Sequence, residues 1–388
     1  MSQTADVVVI GGGVIGAAIA WRLAAGGASV AVADPAPGAG ATGTAAGMLA
    51  PVTELHYGEE PLLRLNLASA RRYPEFVAEL SEATGADVGY RQTGTVVAAW
   101  NAADLAALRD LHEFQRSLGL DAQMLSAADL RALEPSLTPG LPGGLYAGDD
   151  HAVDPRRLHN ALLLAAQRAG ASLVRHHVER IDVGPASRTV VLDNGASLHG
   201  ATVVLAAGSW SGRIEGVPTD VLPPVRPVKG QTLRLRMDTA DRLAHVTRGT
   251  VRGAPVYLVP REDGELVIGA SVEEAGFDLR PRTGVIYELL RDAQTLLPAV
   301  LEMAWVEVST GLRPGTPDNA PVIGASDLDG LVIATGHYRN GVLLAPVTAD
   351  AVQQIVQSGT APEHISAFAP QRFDQGAQRF EQSAGRPT

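Results

Sequence analysis

Cysteine is absent from the 388 residues, so the chain can form no disulfide, no thiolate-held zinc or iron–sulfur site and no cysteine-tethered prosthetic group. Any bound group needs other anchors. Basic residues are scarce too: Lys and Arg number 31 against 42 acids, a formal charge of −11. That balance disfavours a nucleic-acid surface and leaves a bound phosphate to backbone dipoles. Long hydrophobic runs are also wanting. The charge-free run Val7–Trp21 is too short to cross a bilayer, and the "MSQTAD" before it carries Asp6 where a secretory leader would be basic. A soluble, cytoplasmic chain with no membrane or nucleic-acid partner and no metal site is expected.

What is present is length enough for two units. "DVVVI" (6–10) reads as a buried parallel strand, "GGGVIG" (11–16) as a tight turn, 17–27 as a helix and "SVAVAD" (29–34) as a second strand. Residues 59–83 read as a helix interrupted at Pro74, Asn101 with Asp104 as a helix cap, and Asp154–Pro155 as the start of a helix to about Ala169. "ATVVLAAGSWSG" (201–212) resumes the buried-strand pattern, whereas "KGQTLRLRM" (229–237) alternates and 255–271 folds as a hairpin about Glu262–Gly264. A helix near 284–297 follows. The expected fold is α/β: a discontinuous nucleotide-binding unit of 1–83, 149–222 and 311–365, and an inserted sheet-rich unit of 84–148 and 223–310. The remainder, 366–388, reads as a polar, partly frayed tail. Ligands favour such junctions.

Gly11, Gly13 and Gly16 fit the dinucleotide pattern in which one glycine makes the turn, one admits a pyrophosphate and one lets helix pack on strand. The pattern sits between a strand and a helix, and the next strand ends in Asp34, whose carboxylate suits ribose hydroxyls and repels a 2′-phosphate. These residues leave NAD and FAD both open. "GATGTAAGMLAP" (40–51) favours the second, because its small residues with Thr42 and Thr44 let amides crowd a second phosphate and a flat ring.

Taken in order, "VVVIGGGVIG", "AAGMLAP", "VVLAAGSWS", "GLRPGTPDNAPVIG" and "ATGHYRNGVLLAP" resemble the FAD-dependent D-amino-acid oxidase superfamily, and within it the glycine oxidases of thiazole assembly in thiamine biosynthesis. The likeness runs from about residue 5 to 372. It implies a Rossmann-like FAD-binding domain of the glutathione-reductase type, a mixed-sheet substrate domain and noncovalent FAD. It also implies FAD contacts at Val14, Ile15, Asp34, Pro35, Ala41, Thr42, Ala46, Gly47, Met48, Val178 and Gly208, and at His337, Tyr338, Arg339, Asn340, Gly341, Val342 and Leu343. Arg313, Tyr257 and Arg339 match the positions that hold substrate. The family usually has glutamate where Asp34 stands, so the ribose contact is expected to be longer or water-mediated.

The activity implied is oxidative deamination of glycine or another small amino acid by dioxygen, giving the imine or 2-oxo acid, ammonia and hydrogen peroxide; the resemblance also implies a homo-oligomer, a tetramer. D-amino-acid or sarcosine oxidation, or a dehydrogenase with another electron acceptor, are the alternatives. Flavin reduction places negative charge on the ring's N1–C2=O edge. Free amides around Asn340–Leu343, at the start of a helix reaching about Gln357, would meet that charge. Arg313 stands between Gly311 and Pro314 on a stiff segment, and its planar fork suits a carboxylate; the competing reading pairs it with Asp318. Arg339 serves either the carboxylate or the flavin edge. His337 is expected to be structural, with no acid–base pair required.

Overall fold

The uncharged run near the N-terminus becomes a strand, Ser2–Ile10, and a helix, Val14–Ala25, joined at the glycine triplet. The computed structural model describes residues 2–184, 187–221, 224–238 and 242–373. The helix starts at Val14 rather than at the expected Ala17, which brings its first amides up to the glycines. It is buried on nearly every side, as a helix apolar all round must be.

Ser2–Ile10 lies in an eight-stranded sheet with the order Val322–Ala325, Leu331–Thr335, Ser197–Leu205, Ser2–Ile10, Val30–Ala33, Ser172–Val174. The pairings among Leu331–Thr335, Ser197–Leu205, Ser2–Ile10, Val30–Ala33 and Ser172–Val174 are parallel. An antiparallel hairpin, Val178–Gly184 with Ser187–Leu192, attaches to Ser197–Leu205. Helices Val14–Ala25, Glu60–Thr84, Pro155–Arg168 and Gly341–Ser358 pack together on this sheet's apolar face. Charge holds the helices in register where they reach solvent. Arg22 and Arg72 share Asp350 at 3.0 Å each, and Arg72 also reaches Glu79 at 2.7 Å.

The second eight-stranded sheet runs Ala304–Gly315, Arg226–Arg236, Glu265–Gly269, Ala254–Pro260, Val246–Val251, Thr95–Ala99, Gly143–Ala147, Gln123–Ser126. It is mixed: Val246–Val251 and Thr95–Ala99 are parallel, the other neighbours antiparallel. Helix Thr283–Leu296 covers one face with Leu289, Ala293 and Leu296. The strand Ala304–Gly315 pairs with Arg226–Arg236 along its whole length, so it runs straight across position 311, where a boundary was expected.

Several expected caps form. Asn101 accepts from the amides of Ala103 and Asp104, and Asp154 from those of Arg156 and Arg157. The expected break at Pro74 does not form. Glu60–Thr84 is one continuous helix, because Tyr73 and Phe76 are both fully buried beside the proline and hold the chain to the helical path. Past residue 365 the chain continues in short turns with Phe368 buried and Arg372 on Asp318; positions 374–388 of the expected frayed tail lie outside the described residues. Among the described residues no helix is long and apolar enough to cross a membrane.

Candidate functional site

The two sheets meet around a cavity of about 770 Å³, and two helices begin on its walls. Neither Val14–Ala25 nor Gly341–Ser358 has a capping side chain or an acid in its first turn. Apart from the Val14 amide, taken by Thr42, both therefore offer uncommitted amides and the positive end of a helix dipole to whatever occupies the space.

At the first helix, Gly11 adopts φ +101°, and a Cβ there would stand 2.5 Å from the Ala206 carbonyl oxygen. Gly13 faces the cavity, where an added Cβ would meet only Thr42 Oγ1, at 3.4 Å. Gly16 stands back from the lining: a Cβ at this position would collide with the Gly11 carbonyl oxygen, so it serves the packing of helix on strand. Val14 donates its amide to Thr42 Oγ1 at 3.0 Å. Asp34, just past the strand Val30–Ala33, accepts from Gly12 N at 2.6 Å and Ala36 N at 2.8 Å, one carboxylate oxygen each. Each oxygen keeps a further lone pair for a hydroxyl. Ile15, Pro35, Ala41, Ala46, Gly47, Met48, Val178 and Gly208 all line the same cavity.

At the other end, the strand Leu331–Thr335 delivers the chain to a short turn, Tyr338–Asn340, and then to the helix. Tyr338 sits at φ +46°, a conformation that side chains rarely adopt and that the surroundings must hold. His337, Tyr338, Arg339, Gly341 and Val342 line the cavity. Asn340 and Leu343 do not. Asn340 is buried with its amide on the His337 carbonyl, and Leu343 lies behind the wall with its carbonyl taken by Ser69 Oγ at 2.5 Å. His337 Nε2 lies 3.0 Å from Thr348 Oγ1, and burial pushes its imidazole down to about 3, so it is neutral and structural.

The second sheet supplies the charged end. Arg313 donates Nη1 to the Ser271 carbonyl at 3.0 Å, lying over Gly230, where any side chain would collide with the guanidinium. Asp318 is taken by Arg372 at 2.8 Å, so the surface pairing considered for Arg313 does not form. Tyr257 lies over Gly269 in the same way; burial raises its hydroxyl above the ordinary range, with Arg313 opposing. Arg339 is already engaged, donating Nη2 to Glu59 at 2.6 Å with Nε 3.9 Å from Glu54.

Sequence reasoning missed Glu54, His56 and Arg248, which also line the cavity, and His159, whose Nε2 lies 2.7 Å from the Gly12 carbonyl oxygen. Arg248 alone left a signal, a charge inside the strand "VTRGTV" (246–251). Among the described residues no group of three His, Asp or Glu is placed to hold a metal ion. Glycine-lined, with unspent amides at two helix starts and a carboxylate beside the first, the cavity fits an extended dinucleotide carrying a flat ring.

Comparison with known proteins agrees. A family model described as DAO, FAD dependent oxidoreductase, matches residues 6–355. The chain is 36% identical over 377 residues to the bifunctional protein ThiO/ThiG of Synechocystis sp., covering 96% of this chain and 55% of that protein. It thus spans about half the length of that relative. It is 34% identical over 373 residues to glycine oxidase of Geobacillus kaustophilus, covering 95% and 97% of the two chains. The crystal structure of glycine oxidase from Geobacillus kaustophilus has a TM-score of 0.89 to this chain at 32% identity, covering 95% and 99% of the two.

Proposed function

The chain belongs to the DAO family of FAD-dependent oxidoreductases, and from that membership we propose that it oxidises the carbon–nitrogen bond of a small amino acid, glycine first. The products are the imine or its 2-oxo acid with ammonia, dioxygen is the electron acceptor and hydrogen peroxide is released. FAD, when bound, supplies the hydride acceptor. The residues that would hold it are the amides of Gly13 and Ile15, Asp34, the Ala46–Met48 loop and the amides at Gly341–Val342. A supply of imine to thiazole assembly is consistent with likeness to ThiO/ThiG.

One observation carries the reading. Among the described residues no acid pairs with Arg313, which donates to the neutral Ser271 carbonyl and lines the cavity beside the Tyr257 hydroxyl. A guanidinium so placed is free to take a substrate carboxylate on its two-pronged face and to fix the tilt of the rest. Tyr257, kept protonated by burial, is a donor beside it. His337, kept neutral, is not needed as a base if the amine arrives unprotonated.

Peroxide release measured with glycine, sarcosine, D-alanine and D-proline tests the proposal. Glycine should be turned over with stoichiometric peroxide. Bleaching of the flavin by glycine without peroxide would remove dioxygen from the reaction, and no bleaching by any of the four would remove small amino acids.

A further inference from the structure

The substrate end of the cavity holds more charge than one carboxylate requires. Arg248, Arg313 and Arg339 face it, together with Glu54, and Glu59 stands behind Arg339. Glu54 pairs with Arg248 and Glu59 with Arg339, which leaves Arg313 for a single substrate carboxylate. His56 does not add to this, because burial, followed by the neighbouring Arg339, holds its imidazole below the ordinary range.

The arrangement of partners is uneven. Glu54 Oε1 lies 3.2 Å from Arg248 Nη2, and its Oε2 lies 3.9 Å from Arg339 Nε. Arg248 also donates to Thr53 Oγ1 at 3.2 Å. Glu54 is held firmly: its amide bonds to the Ala50 carbonyl, and the amides of Val52 and Thr53 donate to the buried carboxylate of Asp150 at 2.9 and 2.7 Å. The loop thus fixes an anion between two cations, while Arg313 alone is left without one. We propose that Glu54 is a specificity-determining residue that rejects dicarboxylate amino acids, by occupying in advance the two arginines that would receive a second carboxylate. A second substrate carboxylate then meets a fixed like charge in a half-desolvated cavity, where repulsion is far stronger than in water.

The proposal rests on the reading that a substrate carboxylate docks on Arg313, so its test uses binding rather than turnover. Acetate and malonate are titrated into the holoenzyme, with dissociation constants taken from the change in the visible flavin bands. The wild type should bind acetate more tightly than malonate. In Glu54→Gln the ratio should move toward malonate by about tenfold to a hundredfold, and adding Arg248→Met should cancel the gain. Glu54→Asp, which keeps the charge, should keep the discrimination. Wild-type protein that binds malonate as tightly as acetate would overturn the proposal even if no variant folds, and so would an unchanged ratio in Glu54→Gln. If the ratio shifts as expected but glycine is not oxidised, the selectivity device stands and the proposed reaction falls. If glycine is oxidised and the ratio does not move, the reverse holds.

Discussion

Arg313 contacts a backbone carbonyl and no acid, so replacing it should weaken substrate binding with little cost to the fold. Arg313→Ala is expected to cost about 2–5 kcal/mol, roughly thirtyfold to a few thousandfold in binding. A Michaelis constant within a factor of two of wild type would take Arg313 out of the site. Lysine should not substitute, since a point charge lacks the fork. His337 makes a separate prediction. Its folded value of about 3 lies below the ordinary 6.5, so the unfolded chain takes up a proton that the folded chain refuses. The stability due to neutral His337 is complete above pH 6.5 and is lost as pH falls toward about 3. Between pH 6.5 and 5 the loss is about 2 kcal/mol. His337→Gln removes the titration, so its denaturant midpoint should fall less than that of wild type between pH 7 and 5; parallel falls would contradict this. Arg313 and His337 were legible because each sits in a distinctive local string. Glu54 and Arg248 were not, since a loop acid and a strand arginine become neighbours only through the second sheet.

The helix Gly341–Ser358 contains Pro346, which lacks the amide that would bond the Val342 carbonyl. The carbonyl is not abandoned. Tyr73, from the helix Glu60–Thr84, donates its hydroxyl to it at 3.1 Å, beside the bond from Ser69 to Leu343. The start of this cavity-facing helix is therefore completed by side chains from another helix. Tyr73→Phe keeps the ring and strands a buried acceptor, which should cost about 1–3 kcal/mol, read as a lower denaturant midpoint. No loss would mean that water replaces the hydroxyl. At this scale the helix and its approximate start were readable from "NGVLLAP", but Pro346 lies past the first turn, where its missing amide leaves the Val342 carbonyl to another partner. The role of Tyr73 was not readable, and neither was the continuity of its helix through Pro74. Both depend on packing between segments far apart in sequence, which local propensity does not encode.

Across the whole molecule the first sheet draws strands from three stretches of chain, and the second from the stretches between and beside them. Unbroken apolar runs announced the parallel region and alternating hydrophobicity the antiparallel one, since each pattern follows from which faces are buried. Strand order did not show, because it is decided by long-range pairing. Between the sheets, tied by Thr232 Oγ1 on the Thr44 carbonyl at 3.1 Å and by Arg261 on the carbonyls of Val153 and Ala46, lies the cavity. A ligand there touches both sheets, so its binding free energy becomes folding free energy for the whole chain. At a free FAD concentration about a hundred times the dissociation constant the gain is about 2.7 kcal/mol. For a chain of this size that is roughly 3 °C in melting temperature. The shift should grow with added FAD in thermal melts of stripped protein. Gly13→Ala provides the control, because its Cβ enters the cavity near Thr42 Oγ1 without straining the backbone. Its stripped form should melt within about 2 °C of stripped wild type, and its FAD-dependent shift should shrink. Equal shifts in both proteins would place the pyrophosphate away from Gly13, and with it the first helix's dipole.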